Sequence, residues 1–220
     1  MAGPRVFSYS HDGYGLGHLR RNLRIMAGLR RSCPDVEVLL ATGARGAQRL
    51  TAPFGMNCVT LPPVVKVANG RYAAEGPEGS VDDVLQRRSA LLADAVRDFR
   101  PDLLLVDRYP RGMHGELDDA LATHRAQHRD APAVFGLRDI IDVPATVKDE
   151  WRSQGHSEAI RDVYELVLCY GDPVVFDPVL EYGLPPEVAE RVRFTGYLAD
   201  ELWATDTMGV RRRHAALDRR

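Results

Sequence analysis

The chain has 220 residues, 45% of them apolar and 27% charged, with a formal net charge of -2. That composition fits a globular core and excludes a disordered chain, a collagen-like repeat and a disulfide scaffold. The weak net charge argues against a general nucleic-acid binder, and no apolar run reaches the roughly 20 residues that cross a bilayer.

In chain order, the pattern reads as strand 5–10, helix 16–31, strand 36–41, helix 44–53 and strand 57–61. An irregular stretch, 62–80, carries Pro62, Pro63, Gly70, Gly76, Pro77 and Gly79. Helix 81–100 and strand 103–107 follow, then helix 115–128, strand 133–137, helix 146–153, strand 166–170, helix 185–191 and strand 193–195. Most strands are continuous apolar runs, as expected of strands buried on both faces of a parallel sheet. Leu85, Ser89, Leu92, Val96 and Phe99 share one helical face, so 81–100 is amphipathic. Strands alternating with helices predict an α/β fold, Rossmann-like and doubly wound on a mainly parallel seven-stranded sheet. In such sheets ligands bind beyond the carboxyl ends of the strands. A stretch as long as 62–80 reads as a binding loop or a mobile segment.

The opening strand begins within a few residues of Met1, which predicts no signal or transit peptide. Cys33, Cys58 and Cys169 are odd in number and far apart, so they predict a reducing, cytoplasmic setting and no zinc site. Residues 211–220 hold five Arg and one Asp, so 200–220 reads as a basic linker or tail after a domain spanning 1–199.

After the first strand comes His11-Asp12-Gly13-Tyr14-Gly15-Leu16-Gly17-His18. Gly13, Gly15 and Gly17 let the backbone approach a ligand, and the next helix offers free N–H groups to phosphate or carboxylate. The loop lacks the Lys of a phosphate-binding P-loop. Its glycine spacing also fails the dinucleotide pattern, and no acid follows for a ribose. His18 begins the helix, whose positive end disfavours imidazolium and leaves the ring able to accept a proton. His18 reads either as a general base or as a helix-start packing residue. Asp107 ends a central strand on the ligand side. It reads either as the acid that orients His18 or as a cap on the turn into Tyr109-Pro110.

The segment Ser8-Tyr9-Ser10-His11-Asp12-Gly13-Tyr14-Gly15-Leu16-Gly17-His18-Leu19-Arg20-Arg21 resembles the opening of bacterial glycosyltransferases of the MurG-like, family 28 group. The resemblance continues through 106–112, Leu137-Arg138-Asp139-Ile140-Ile141-Asp142, Tyr170-Gly171-Asp172-Pro173 and Phe194-Thr195-Gly196-Tyr197, covering about residues 5–199. It implies the N-terminal, acceptor-side domain of a GT-B fold. It also implies His18 as base, and Gly15 and Gly17 near acceptor or donor phosphate. A hydroxyl-bearing acceptor and a nucleotide-sugar donor would be the substrates, with no metal or further cofactor. The donor would need a C-terminal domain in the same chain or in a partner chain, because the residues after Tyr197 are too few to build one. Peripheral contact with a membrane surface stays open.

His11, Asp12, Arg20, Arg21, Arg138 and Asp139 are further candidates for contact with acceptor or phosphate. For Arg20 and Arg21 the alternative is a solvated helix face, and for Arg138 and Asp139 an ion pair within their loop. Asp172 reads as a cap, Glu116, Asp118 and Asp119 as acids at a helix start, and His124 with His128 as a solvated helix face. Two other functions remain open: a binding subunit of a split transferase, and a nucleotide-sugar hydrolase or epimerase.

Overall fold

Each apolar run must bury two faces, and helices on both sides of one sheet achieve this. The computed structural model describes residues 3–11, 16–68, 71–74 and 80–198. β1 (Arg5–Ser10), β2 (Glu37–Thr42) and β3 (Asn57–Thr60) come first, followed by an antiparallel hairpin of β4 (Val64–Ala68) and β5 (Arg71–Ala74). β6 (Leu103–Asp107), β7 (Ala133–Arg138), β8 (Leu166–Tyr170) and β9 (Val192–Phe194) complete the set. The main sheet has seven strands in the order β3-β2-β1-β6-β7-β8-β9, all parallel. The strand order reverses between β1 and β6, and a crevice forms at such a switch point.

The helices are α1 (Gly17–Ser32), α2 (Ala47–Thr51), α3 (Val81–Phe99), α4 (Asp118–Gln127), α5 (Pro144–Gln154), α6 (His156–Val163), α7 (Pro178–Glu181) and α8 (Pro186–Ala189). Leu19, Leu23 and Met26 of α1 pack on Val6, Val38, Leu40 and Leu105. Leu92 and Val96 of α3, Leu121 of α4 and Ile160 of α6 pack on Phe7, Leu104, Val106 and Phe135 from the other side. The period of two along each strand sorts these residues. In β6, Leu105 faces α1, so Asp107 faces it too.

Four elements escape the sequence pattern: β4, β5, α6 and α7. The hairpin lies within 62–80, which reads as irregular. The predicted gap between 153 and 166 holds α6, and the gap before 185 holds α7. Ser80 caps α3 with a reciprocal capping box to Asp83, and this fixes where that helix starts.

The far face of the sheet carries a buried ion pair. Arg88 donates to Glu116 from Nε at 2.5 Å and from a terminal nitrogen at 2.9 Å, and both side chains are fully buried. The Tyr9 hydroxyl donates to the same carboxylate at 2.5 Å, and Arg88 also donates to the Pro62 carbonyl at 2.8 Å. Glu116 is therefore a buried partner of α3 and not an acid at the start of α4, a role that Asp118 and Asp119 do occupy. His124 is likewise buried rather than solvated. It contacts the Ala131 carbonyl at 3.2 Å, and burial lowers its pKa. Removing one charge of the Arg88–Glu116 pair strands the other. Arg88→Met or Glu116→Gln is expected to cost about 3–5 kcal/mol in urea unfolding, and the double variant less than the sum of the two.

Candidate active site

α1 is the first helix after β1 and begins at Gly17, and helical geometry aligns residues 18, 21 and 22 on one side. That side meets the end of β6. His18 Nδ1 lies 2.6 Å from Asp107 Oδ2, and Arg21 donates to Oδ1 at 2.9 Å. Asn22 donates to the His18 carbonyl at 2.9 Å and more weakly to Asp107 at 3.4 Å. The Ser8 hydroxyl on β1 donates to Asn22 Oδ1 at 2.9 Å and sets the amide orientation. The Asp107 side chain is 1% exposed and His18 is 24% exposed. A carboxylate at this depth needs donors, and three converge on it.

The short contact assigns the tautomer of His18. A carboxylate only accepts, so Nδ1 carries the hydrogen, which in the neutral tautomer leaves the lone pair on Nε2. Arg21 also approaches Nδ1, but at 3.4 Å, too long to compete. The arrangement is an oriented imidazole able to take a proton.

Close backbone approach makes room beside it. A Cβ on Gly136 would fall 2.3 Å from the Tyr170 hydroxyl, so only glycine lets that ring cross β7. Burial raises the Tyr170 pKa, and the charge of Asp107 adds to the effect. A Cβ on Gly171 would fall 2.6 Å from the Asp139 side chain. Arg21 lies over the Tyr170 ring at 5.6 Å. A cavity of about 300 Å³ opens here, lined by Gly17, Arg21, Arg24, Arg138, Asp139 and Tyr170 among others. The guanidinium groups of Arg24 and Arg138 and the start of a 16-residue helix face it, with Arg21 already paired to Asp107 and the Asp139 carboxylate on the same wall.

On the other side of His18 runs a row of rings. The His11 ring meets His18 edge-on at 5.7 Å and Tyr109 at 4.6 Å; Tyr109 then meets His156 at 5.4 Å. Tyr109 donates to Glu150 at 2.7 Å. Arg108, at φ 78°, is held in a left-handed conformation next to Asp107, and such strain gathers at functional sites.

Of the predicted residues, His18 and Asp107 meet, and Gly17, Arg138 and Asp139 line the anion cavity. His11 is 4% exposed and its ring packs edge-on against His18. Arg20 points away, because two residues turn a helix by about 200°. It is exposed, while Arg21 takes the position on Asp107. Asp139 binds its own loop, accepting from the Ile140 amide at 2.7 Å. Asp172 caps a turn by accepting from the Val174 amide at 2.9 Å. Asp12, Gly13 and Gly15, like the tail 200–220, lie outside the described residues. The i, i+3, i+4 spacing of His18, Arg21 and Asn22 was the signal available for Asn22. Tyr109, Tyr170 and His156 carry none. Among the described residues, no group of three His, Cys, Asp or Glu could hold a metal, and no helix is long and apolar enough to cross a membrane.

No protein-family model matches the chain, and no curated protein matches it. Solved structures do. A glycosyltransferase from Rickettsia africae ESF-5 superposes with a TM-score of 0.55 at 7% identity, over 89% of this chain and 43% of that one. The UDP-GlcNAc 2-epimerase from Neisseria meningitidis, bound to UDP-GlcNAc, gives 0.52 at 12%, over 96% and 53%. Anabaena HepE in complex with UDP-glucose gives 0.51 at 14%, over 87% and 43%. At such identities the likeness is one of fold, the Rossmann-like half of a GT-B protein. The chain spans about half the length of these structures.

His156 supplies a pH test of the ring row. Burial lowers its pKa from 6.5 to about 4; Glu150 opposes the shift and Arg108 assists it. The unfolded chain therefore binds a proton first as pH falls, and stability declines from about pH 6.5 down to about 4. The decline from this group is on the order of 3 kcal/mol. In His156→Phe, urea unfolding measured between pH 7 and 4 is expected to show a correspondingly flatter pH dependence.

Proposed function

We propose that this chain is the N-terminal, acceptor-side lobe of a GT-B glycosyltransferase of the MurG-like kind, spanning residues 1–199. His18 is its general base and Asp107 the acid that orients it. The observation that carries this reading is the 2.6 Å His18–Asp107 contact at the β1/β6 switch point. The reaction is a direct displacement. His18 Nε2 takes the acceptor hydroxyl proton as that oxygen bonds the anomeric carbon, and the bond from this carbon to the nucleoside diphosphate breaks. Asp107 stabilises the imidazolium that forms. Arg21, Arg138 and the α1 N-terminus attract the phosphate-bearing substrate.

The donor is held chiefly by a second lobe, in the same chain or a partner chain. Exposed apolar side chains support this. Of the seven large ones among the described residues, six lie on segments after β7, β8 and β9: Ile140, Val143, Val174, Val175, Leu180 and Tyr197. Those segments share the sheet edge that bears the site, and a second lobe there would cover them.

The likeness to the epimerase supports a second reading, a nucleotide-sugar epimerase or hydrolase on the same fold. The two separate on products. With a donor lobe fused or added, a transferase moves sugar to an acceptor, whereas a hydrolase frees sugar without one and an epimerase returns an isomerised nucleotide sugar. In that assembly, His18→Ala is expected to lower the rate of transfer by roughly 10²–10⁴-fold in protein that still unfolds cooperatively, with the midpoint lowered because buried Asp107 loses a donor. Asp107→Asn should lower it by up to a similar factor, since it no longer enforces the productive tautomer. Undiminished transfer by His18→Ala would remove the base assignment.

A further inference from the structure

Arg21 stands between the His18–Asp107 pair and the anion cavity. It donates to Asp107 Oδ1 with one terminal nitrogen, which also lies 3.4 Å from His18 Nδ1. Its Nε and its other terminal nitrogen make no hydrogen bond among the described residues, and the side chain lines the cavity. The rigid fork of a guanidinium spreads its donors, so one serves Asp107 while another can meet an anion. The Tyr170 ring lies 5.6 Å from the guanidinium carbon and limits its swing.

The cavity keeps a positive balance. With Arg21 set against Asp107, Arg24 and Arg138 still exceed Asp139 by one charge. The Asp139 carboxylate also accepts from the Ile140 amide and from the Tyr197 hydroxyl. The start of α1 adds its partial positive charge at Gly17, on the same wall.

Among the described residues, the charged or titratable groups facing the His18 ring are Asp107 on β6, Arg21 on α1 and His11 after β1. Asp107 favours a second proton on the ring, and Arg21 opposes it. An anion oxygen bonded to Arg21 would lie no more than about 9 Å from His18 Nδ1, given the 3.4 Å gap, the width of a guanidinium and one hydrogen bond. At that range a negative charge acts on the ring with the same sign as Asp107. In surroundings between bulk water and a protein surface, a dianion there is worth roughly 0.5–1 pH unit in the titration of the ring, less at high salt.

We propose that an anion of the phosphate class in this cavity and the proton on His18 are linked, with Arg21 as the contact between them, so that the base gains proton affinity when its anionic substrate is in place. The inference rests on the transferase reading for the nature of the substrate and is tested without turnover. The probe is inorganic sulfate, a dianion throughout the imidazole range, with ionic strength held constant by sodium chloride. The His18 ring signals are followed by NMR of the full chain and assigned by their loss in His18→Gln. Saturating sulfate is expected to raise the pH midpoint of the ring by roughly 0.5–1 unit. Reciprocally, sulfate should bind roughly three- to tenfold more tightly below that midpoint than above it, and His18→Gln should lose this pH dependence. Arg21→Gln keeps a donor for Asp107 without the charge. It should raise the sulfate-free midpoint and weaken sulfate by about threefold or more, whereas Arg20→Gln, on the exposed side of α1, should change both less. The linkage in the unaltered chain decides the matter even where Arg21→Gln does not fold. Sulfate that fails to bind beside Arg21, that binds without moving His18, or that binds Arg21→Gln equally well would overturn the proposal, even if sugar transfer is found. Failure of the His18→Ala test would overturn the transferase reading and leave this linkage standing.

Discussion

A buried carboxylate organises this domain. Asp107 ends β6 with its side chain 1% exposed, where an ionised group is tolerated only if its lone pairs are filled. The fillers are His18, Arg21 and Asn22, all on the first turns of α1. Meeting the demands of one charge therefore ties the first helix to the fourth strand of the main sheet in chain order. It also aligns the imidazole. Stability and site geometry share the same three contacts, so the site is built from the packing of α1 and not from a flexible loop.

Charge is divided around His18. On one side Arg21, Arg24 and Arg138 face a cavity beside the start of α1. On the other, the His11–Tyr109–His156 row leads to a cavity whose arginine is paired with Asp118 and which both buried His156 and exposed His114 line. The parallel sheet makes this division available, because every strand end delivers a loop to the same edge.

The fold was largely legible from the chain. The seven main strands follow from continuous apolar runs, and α1, α3 and α4 from helical periodicity. The missing elements have local causes. Glycines around β4 and β5 hide the hairpin, and Gly155 separates α5 from α6, so neither helix presents a long period. Among the candidate groups, His18 stood out because it follows the last glycine of the loop at a helix start, and Asp107 because it ends a strand. Arg20 and Arg21 part because successive residues of a helix point about 100° from one another, which leaves Arg20 exposed while Arg21 meets Asp107. Glu116 and His124 look like surface residues of an amphipathic helix, yet both are buried by contacts with residues outside that helix, Glu116 with Arg88 and Tyr9 and His124 with Ala131.

The sequence by itself determined the alternation of strand and helix, hence a parallel sheet, and the edge of that sheet where chemistry would gather. Those properties depend on local periodicity and on the handedness of strand crossovers. Only the tertiary structure decided which residues meet there. His18 and Asp107 are 89 positions apart, and Tyr109 and His156 are 47 apart. Their contact depends on the β1–β6 register, on Gly136 leaving space for Tyr170 and on the left-handed turns at 108–115, none of which a linear pattern encodes.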